Sequence, residues 1–163
     1  MAKRPNQRLK LLYLAKIMLR LTDDEHGLQV EQIINELAKY DIAAERKSIY
    51  SDLEALQLFG IDIEKKHIGR YVYYCVGNRN LELAELKLLV DAVQSSKFIT
   101  EKKSSQLIEK LERYVSQYEA KQLNQQVYVH GRIKTMNESI YYNVDEIHNA
   151  ITGADGSFTI PID

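Results

Sequence analysis

The sequence predicts a mainly α-helical protein carrying one small β hairpin, and three observations lead there. Apolar residues recur at i, i+3, i+4, i+7 along much of the chain, the spacing that gives a helix one buried stripe. One stretch, Ile61 to Val76, alternates instead, is rich in Tyr and Val, and contains a glycine where a turn is needed. Hydrophobic residues make up 45% of 163 residues, enough to build a core and to remove disorder as the default.

Leu14, Ile17, Met18 and Leu21 form the first stripe, so a helix is placed near 6 to 21, ended by Asp23 to Gly27. Val30, Ile33, Ile34 and Leu37 repeat the pattern in a second helix, about 29 to 40, followed by a short polar and alanine-rich turn, Asp41 to Glu45. A third helix, about 45 to 59, buries Ile49, Leu53 and Leu56 and stops at Gly60. The hairpin follows, turning at Gly69. Asn78 and Asn80 mark a boundary, with Asn80 as the cap of a fourth helix carrying Leu83, Leu86, Val90 and Val93. Thr100 caps a fifth, in which Leu107, Leu111, Tyr114 and Tyr118 share one face. Val127 to Lys134 alternates as a strand would, and Asn143 with Glu146 has the spacing of a cap and its partner before a short helix to Ile151. Three regions result: 1–77, a helical linker or dimerisation region over 78–151, and an irregular tail over 152–163.

Formal net charge is only -1, so affinity for a polyanion cannot come from the whole chain and must come from charge placement. That placement is uneven: Lys3, Arg4, Arg8, Lys10, Lys16 and Arg20 precede the first acid, Asp23. The one cysteine, Cys75, cannot form an internal disulfide, and no Cys/His cluster has zinc-ligand spacing. Neither a signal peptide nor a membrane span is visible, because Leu9 to Leu21 is broken by Lys10, Lys16 and Arg20. A soluble, cytoplasmic protein without metal or cofactor is expected.

Helix, short turn, helix and a hairpin with a basic tip, in that order, resemble a winged helix-turn-helix. Projected at about 100° per residue, the third helix gathers Arg46, Lys47, Tyr50, Ser51 and Glu54 on an arc away from its apolar side. With Ser48, the set Arg46, Lys47, Ser48, Tyr50 and Ser51 is the candidate base-reading face, since Arg and Lys donate to guanine O6 and N7 in the major groove and Ser meets several base edges. Arg4, Arg8, Lys10, Lys65, Lys66 and Arg70 are candidate phosphate ligands, with His67 beside them at the hairpin tip. Double-stranded DNA is the expected partner.

The segment Arg46-Lys47-Ser48-Ile49-Tyr50-Ser51-Asp52-Leu53, with Leu56 and Gly60, resembles the recognition helix of bacterial winged-helix regulators that carry a WYL domain. Leu83-Ala84-Glu85-Leu86-Lys87-Leu88-Leu89-Val90-Asp91-Ala92-Val93 and Ser95-Ser96-Lys97-Phe98-Ile99-Thr100 are similar to the helical linker of those regulators, and the likeness spans about 1–151. The resemblance implies a cytoplasmic, commonly dimeric transcription factor whose WYL domain senses a ligand such as a nucleic acid or nucleotide. That domain would begin near Ala150, whereas this sequence ends at Asp163 and has no Trp. The sensing function is therefore not carried over, and a truncated product, a fragment and a natural short form all fit.

No phosphate-binding glycine loop or nucleophile motif is present, and the Ser104-Ser105 pair falls in the fifth helix, so no enzyme is inferred. His26, His67, His130 and His148 lack partners at motif spacing and read as surface residues. Cys75, between Tyr74 and Val76, reads as a buried, inert thiol, and the pairs Tyr73-Tyr74 and Tyr141-Tyr142 as split between core and solvent. The alternative to DNA binding is a protein-interaction module on the same scaffold. For both readings Leu107, Ile108, Leu111 and Val115 are the candidate surface, for a homodimer in the first and a protein partner in the second.

Overall fold

The computed structural model describes residues 6–126, 142–144 and 146–148. A 3-10 turn at Gln7–Leu9 leads into α1 (Lys10–Leu21), followed by α2 (Val30–Ala38) and α3 (Arg46–Phe59). The hairpin pairs β1 (Ile63–Ile68) with β2 (Tyr71–Val76), and α4 (Leu83–Ser95), α5 (Glu101–Leu111) and α6 (Gln117–Gln126) follow. The class is the mainly helical one with a small antiparallel hairpin that the periodicity predicts.

The stripes read from sequence meet in one core. Leu14, Ile17 and Met18 of α1, Val30, Ile33 and Leu37 of α2, and Ile49, Leu53 and Leu56 of α3 pack together, closed from below by Ile63 and Val76 of the hairpin. A fully buried side chain of this kind contributes about 1.5–3 kcal/mol by leaving water, and Leu37→Ala would cost about 2–5 kcal/mol. Gln29 caps α2 in a reciprocal box with Gln32. The turn from α2 into α3 passes through Asp41 at φ 58°, a left-handed position that a short polar side chain tolerates. Gly60 ends α3 at φ 105°, where a Cβ would be strained.

The hairpin register sets Lys65 opposite Tyr74 and Ile68 opposite Tyr71, leaving Gly69 and Arg70 as a two-residue loop. Gly69 has φ 60°, the positive value that the first loop residue of a type II′ turn needs. At its other end β2 gains a partner, because Leu28 and Tyr74 exchange both backbone hydrogen bonds at 2.9 and 2.8 Å. The connection between α1 and α2 thus fixes the root of the hairpin.

A second core holds Leu86 and Val90 of α4, Ile108 of α5, Val115, and Ala120 and Leu123 of α6. Three sequence expectations are corrected here. Asn80 does not cap α4: Glu82 does, in a reciprocal box with Glu85. The fifth helix stops at Leu111, passes through a 3-10 turn at Glu112–Tyr114, and α6 begins as a separate helix at Gln117. Asn143 is itself helical within 142–144. Thr100 caps α5 as expected, accepting from the Lys103 amide. The strand expected over 127–134, Arg4, His130, Tyr141 and the tail over 152–163 lie outside the described residues.

Polar contacts join the two cores. Ser116 donates its hydroxyl to the buried Asp23 carboxylate at 2.6 Å, and the His26 and Tyr118 rings stack with centroids 3.7 Å apart. Arg79 donates to the Leu19 and Thr22 carbonyls at 3.0 and 2.6 Å, and stands 3.8 Å from Glu119. Burial pulls the Arg79 guanidinium below its ordinary value, and Glu119 and Asp23 push the other way.

Candidate nucleic-acid interface

The first turn of α3 carries Arg46 and Lys47 and no acid, and its cap residue, Glu45, makes no side-chain hydrogen bond to the helix. Cations at the positive end of a helix dipole are unfavourable by a few tenths of a kcal/mol, so this end is not arranged for stability. Local choices that work against the fold mark functional surface more often than chance does. The amides left uncapped also favour an anion.

Arg46 is held in a defined pose. Its Nε donates to the Tyr50 hydroxyl at 2.8 Å and Nη1 to Glu31 at 2.9 Å, with the guanidinium 6.0 Å above the Tyr50 ring. Tyr50 first and Glu31 next hold the Arg46 charge above the ordinary guanidinium value. The side chain nonetheless stays 64% exposed. Tyr50 therefore does two things: it packs half-buried against the first core and it orients Arg46. Lys47 and Ser51 are exposed on the same face, as is Glu54.

A groove of about 810 Å³ runs between α3 and the hairpin, lined by Arg46, Tyr50, Glu54 and Gln57 on one side and by Lys65, Arg70, Tyr71 and Tyr74 on the other. Gln57 ties the two walls together by donating to the Ile63 carbonyl at 2.6 Å. Arg70 donates to the Tyr71 hydroxyl at 3.1 Å and lies 5.2 Å from that ring, while Lys65 is exposed. The groove has acids as well as bases, since Glu31 and Glu54 line it too.

Not every predicted cation stands in this face. Lys10, assigned to phosphate, pairs with Asp52 at 2.5 Å and hydrogen-bonds Ser48, with its side chain only 14% exposed. It fastens α1 to α3, and it engages the hydroxyl of Ser48, which is half-buried and not freely displayed as a base reader. Lys66 points at the α1–α2 connection, donating to the Asp24 carbonyl at 2.8 Å, with the Asp24 and Glu64 carboxylates at 3.7 and 3.3 Å. Its charge is offset there. Burial lowers the affinity of Lys66 for its proton, but the facing Cys75 and Glu64 outweigh this and leave the net shift upward. Arg8 is exposed at the start of the chain.

The surface assigned to a dimer or partner is corrected too. Ile108 and Val115 are 4% and 0% exposed, and Leu111 packs half-buried against them in the second core. Leu107 is half-buried. The reason is the second core itself: α5 packs along α4, whose Leu86 and Val90 share that core, and α6, which sequence periodicity missed, adds Ala120 and Leu123.

Sequence reasoning also missed Gln29, Glu31, Gln57 and Tyr71, which line the groove although nothing in their spacing announces it. Cys75 is buried, as expected, and burial pushes its thiol up, with Lys66 pulling the other way. His26 stays at the surface, its side chain 41% exposed, but it does have partners: its ring nitrogen meets Asp23 at 2.7 Å and one face of the ring stacks on Tyr118. Among the described residues no cluster of His, Cys, Asp and Glu is arranged to hold a metal ion, and no helix is long and apolar enough to cross a membrane. Compared with protein-family models, curated proteins and solved structures, the chain matches none of them.

Proposed function

We propose that this chain is a DNA-binding transcriptional regulator of the winged helix-turn-helix kind, in which α3 enters the major groove and the hairpin serves as a wing on the phosphates. One observation carries the reading: Arg46 of α3 and Lys65 and Arg70 of the hairpin border one groove, with Arg46 already oriented by Tyr50 and Glu31. With Nε and Nη1 engaged, Arg46 keeps Nη2 to donate to guanine O6 or N7 and loses less entropy in doing so than an unrestrained side chain. Lys47 and Ser51 extend the same face, and Glu54 beside them would accept from a cytosine amino group. Arg8, Lys65 and Arg70 supply phosphate contacts, which give affinity without sequence information.

The surface expected for a homodimer in this reading and for a protein partner in the alternative is lost to both, because Ile108 and Val115 lie inside the chain's own core.

Fluorescence anisotropy tests the reading with duplex DNA from the chain's own upstream region and with scrambled duplex, across about 50–200 mM salt. Three cations each neutralising a phosphate give a log-log salt slope of about -3. Lys47→Ala should weaken binding to the upstream duplex. Weak binding that ignores both sequence and substitution would reject the proposal.

A further inference from the structure

We propose, resting on the DNA-binding reading above, that Glu31 of α2 sets base specificity in the α3 groove: it reserves Arg46 for a neutral acceptor such as a guanine edge and withholds it from phosphate. Glu31 lines the groove from the first turn of α2, where the helix dipole favours a carboxylate, and reaches across to α3. It accepts from Arg46 Nη1 at 2.9 Å, while the Tyr50 hydroxyl accepts from Nε at 2.8 Å. Both side chains of the ion pair are more than half exposed, so the pair adds little to stability. An acid on a surface that meets a polyanion also weakens binding. A carboxylate that does little for the fold and works against affinity has a use in discrimination, which is gained by penalising the wrong contact as well as by favouring the right one.

The two acceptors differ in the way this requires. An unrestrained arginine grips a phosphate through the fork of Nε and Nη2, two donors aimed at two oxygens. Here Tyr50 has taken Nε, so that fork is broken and Nη2 is left to donate without it. A phosphate oxygen brought to Nη2 is charged, and the Glu31 carboxylate on the neighbouring nitrogen repels it. Guanine O6 and N7 carry no net charge and meet no such repulsion. Arg70, across the groove, is prepared differently: it leans on the hydroxyl and the ring of Tyr71, neither of them charged, and is open to phosphate.

Glu31 therefore lowers affinity for DNA in general and sharpens preference among sequences. Glu31→Gln keeps the length of the side chain and an oxygen for Nη1 but removes the charge, so a phosphate can take Arg46. One more phosphate neutralised adds about 0.9 to the magnitude of the log-log salt slope.

Duplexes that the full chain selects from a randomised pool, and scrambled versions of them, test the proposal by fluorescence anisotropy over about 50–200 mM salt. Glu31→Gln should bind scrambled duplex about threefold or more tightly than the parent chain and steepen its salt slope from about -3 to about -4. Its preference for the selected duplex should fall about fivefold. In an Arg46→Ala background the same substitution should leave preference and slope nearly unchanged, because the acid acts through that arginine. Thermal melting by circular dichroism should be nearly unchanged in Glu31→Gln, and a large drop would give Glu31 to the fold and overturn the proposal. A chain that selects a sequence, but whose Glu31→Gln variant keeps both preference and slope, overturns this inference alone. So does an equal effect with and without Arg46. A chain that selects no sequence overturns the DNA-binding reading, and this inference with it.

Discussion

Asp23→Ala removes the acceptor on which the two cores converge. Its carboxylate takes the Ser116 hydroxyl at 2.6 Å, the His26 ring nitrogen at 2.7 Å, and the amides of His26 and Glu25 at 2.8 and 3.0 Å. Ser116 is fully buried, so its hydroxyl finds no water in place of Asp23, and a hydrogen bond to a charged group contributes about 1.5–3 kcal/mol. The His26 amide keeps the Asp23 carbonyl at 3.2 Å and the Glu25 residue is exposed, so those losses are partial. Asp23→Ala should therefore destabilise the chain by about 3 kcal/mol. Ser116→Ala costs about 1 kcal/mol more than its share of that bond, because Ser116 also caps α6 by accepting from the Glu119 amide at 3.1 Å. Urea unfolding of both single variants and the double variant gives their coupling, expected at about 1.5–3 kcal/mol. Coupling below about 0.5 kcal/mol would refute the reasoning. The pH dependence has a definite sign. Burial raises the Asp23 carboxyl, but the hydrogen bonds from Ser116, His26 and the backbone outweigh it and leave it below 3.8. Its contribution is thus complete above the unfolded value and is lost as pH falls through the lower folded one. The acid limb below a pH of about 4 should flatten in Asp23→Ala.

Lys10→Ala should cost about 1–2 kcal/mol in urea unfolding, because it leaves the Asp52 carboxylate without its cation; it should leave the salt slope of DNA binding unchanged, which a phosphate ligand would not. Gly27→Ala should lower stability by about 1–3 kcal/mol, since the new Cβ would lie 2.8 Å from the Tyr73 Cβ. At Gly77 the obstacle is the Glu64 carboxylate, which can swing away, and the same substitution should cost under about 1 kcal/mol; equal losses at the two sites would contradict the packing. Cys75 should react slowly with a disulfide reagent at neutral pH in the folded chain and quickly in urea, followed by absorbance.

The first three helices and the hairpin were legible because their signals are local. The i, i+3, i+4 spacing of Leu14, Ile17 and Met18 or of Ile33 and Leu37 states which side is buried, and Gly60 states where a helix stops. The exposure of Lys47 and Ser51 follows from the same projection. The separate α6 was also legible in principle: Ser116 and Glu119 have capping-box spacing, and Ser116 accepts from the Glu119 amide while Glu119 accepts from Ser116. Reading straight through from Leu107 to Tyr118 hid it, and with it part of the core that takes in Ile108 and Val115. Lys10 and Lys66 could not have been read correctly. Which of six neighbouring cations meets an acid is decided by how α1 lies across α3 and how the hairpin leans on residue 24, and no spacing encodes either. The same is true of Arg46, whose orientation depends on Glu31 in a different helix.

Residues 22 to 28 form a shared keel. Thr22 accepts from the Val76 amide at 3.0 Å, Asp23 takes Ser116, and Leu28 is laced to Tyr74. The hairpin is held near its root by this connection and by Gln57 of α3, while its tip, Gly69 and Arg70, stands furthest from both. The span between that tip and α3 is accordingly set from two sides, by Gln57 within the groove and from behind it by this connection, whose next residue, Gln29, lines the wall. Substitutions in this keel would retune the width of the groove without altering a single side chain that faces into its centre.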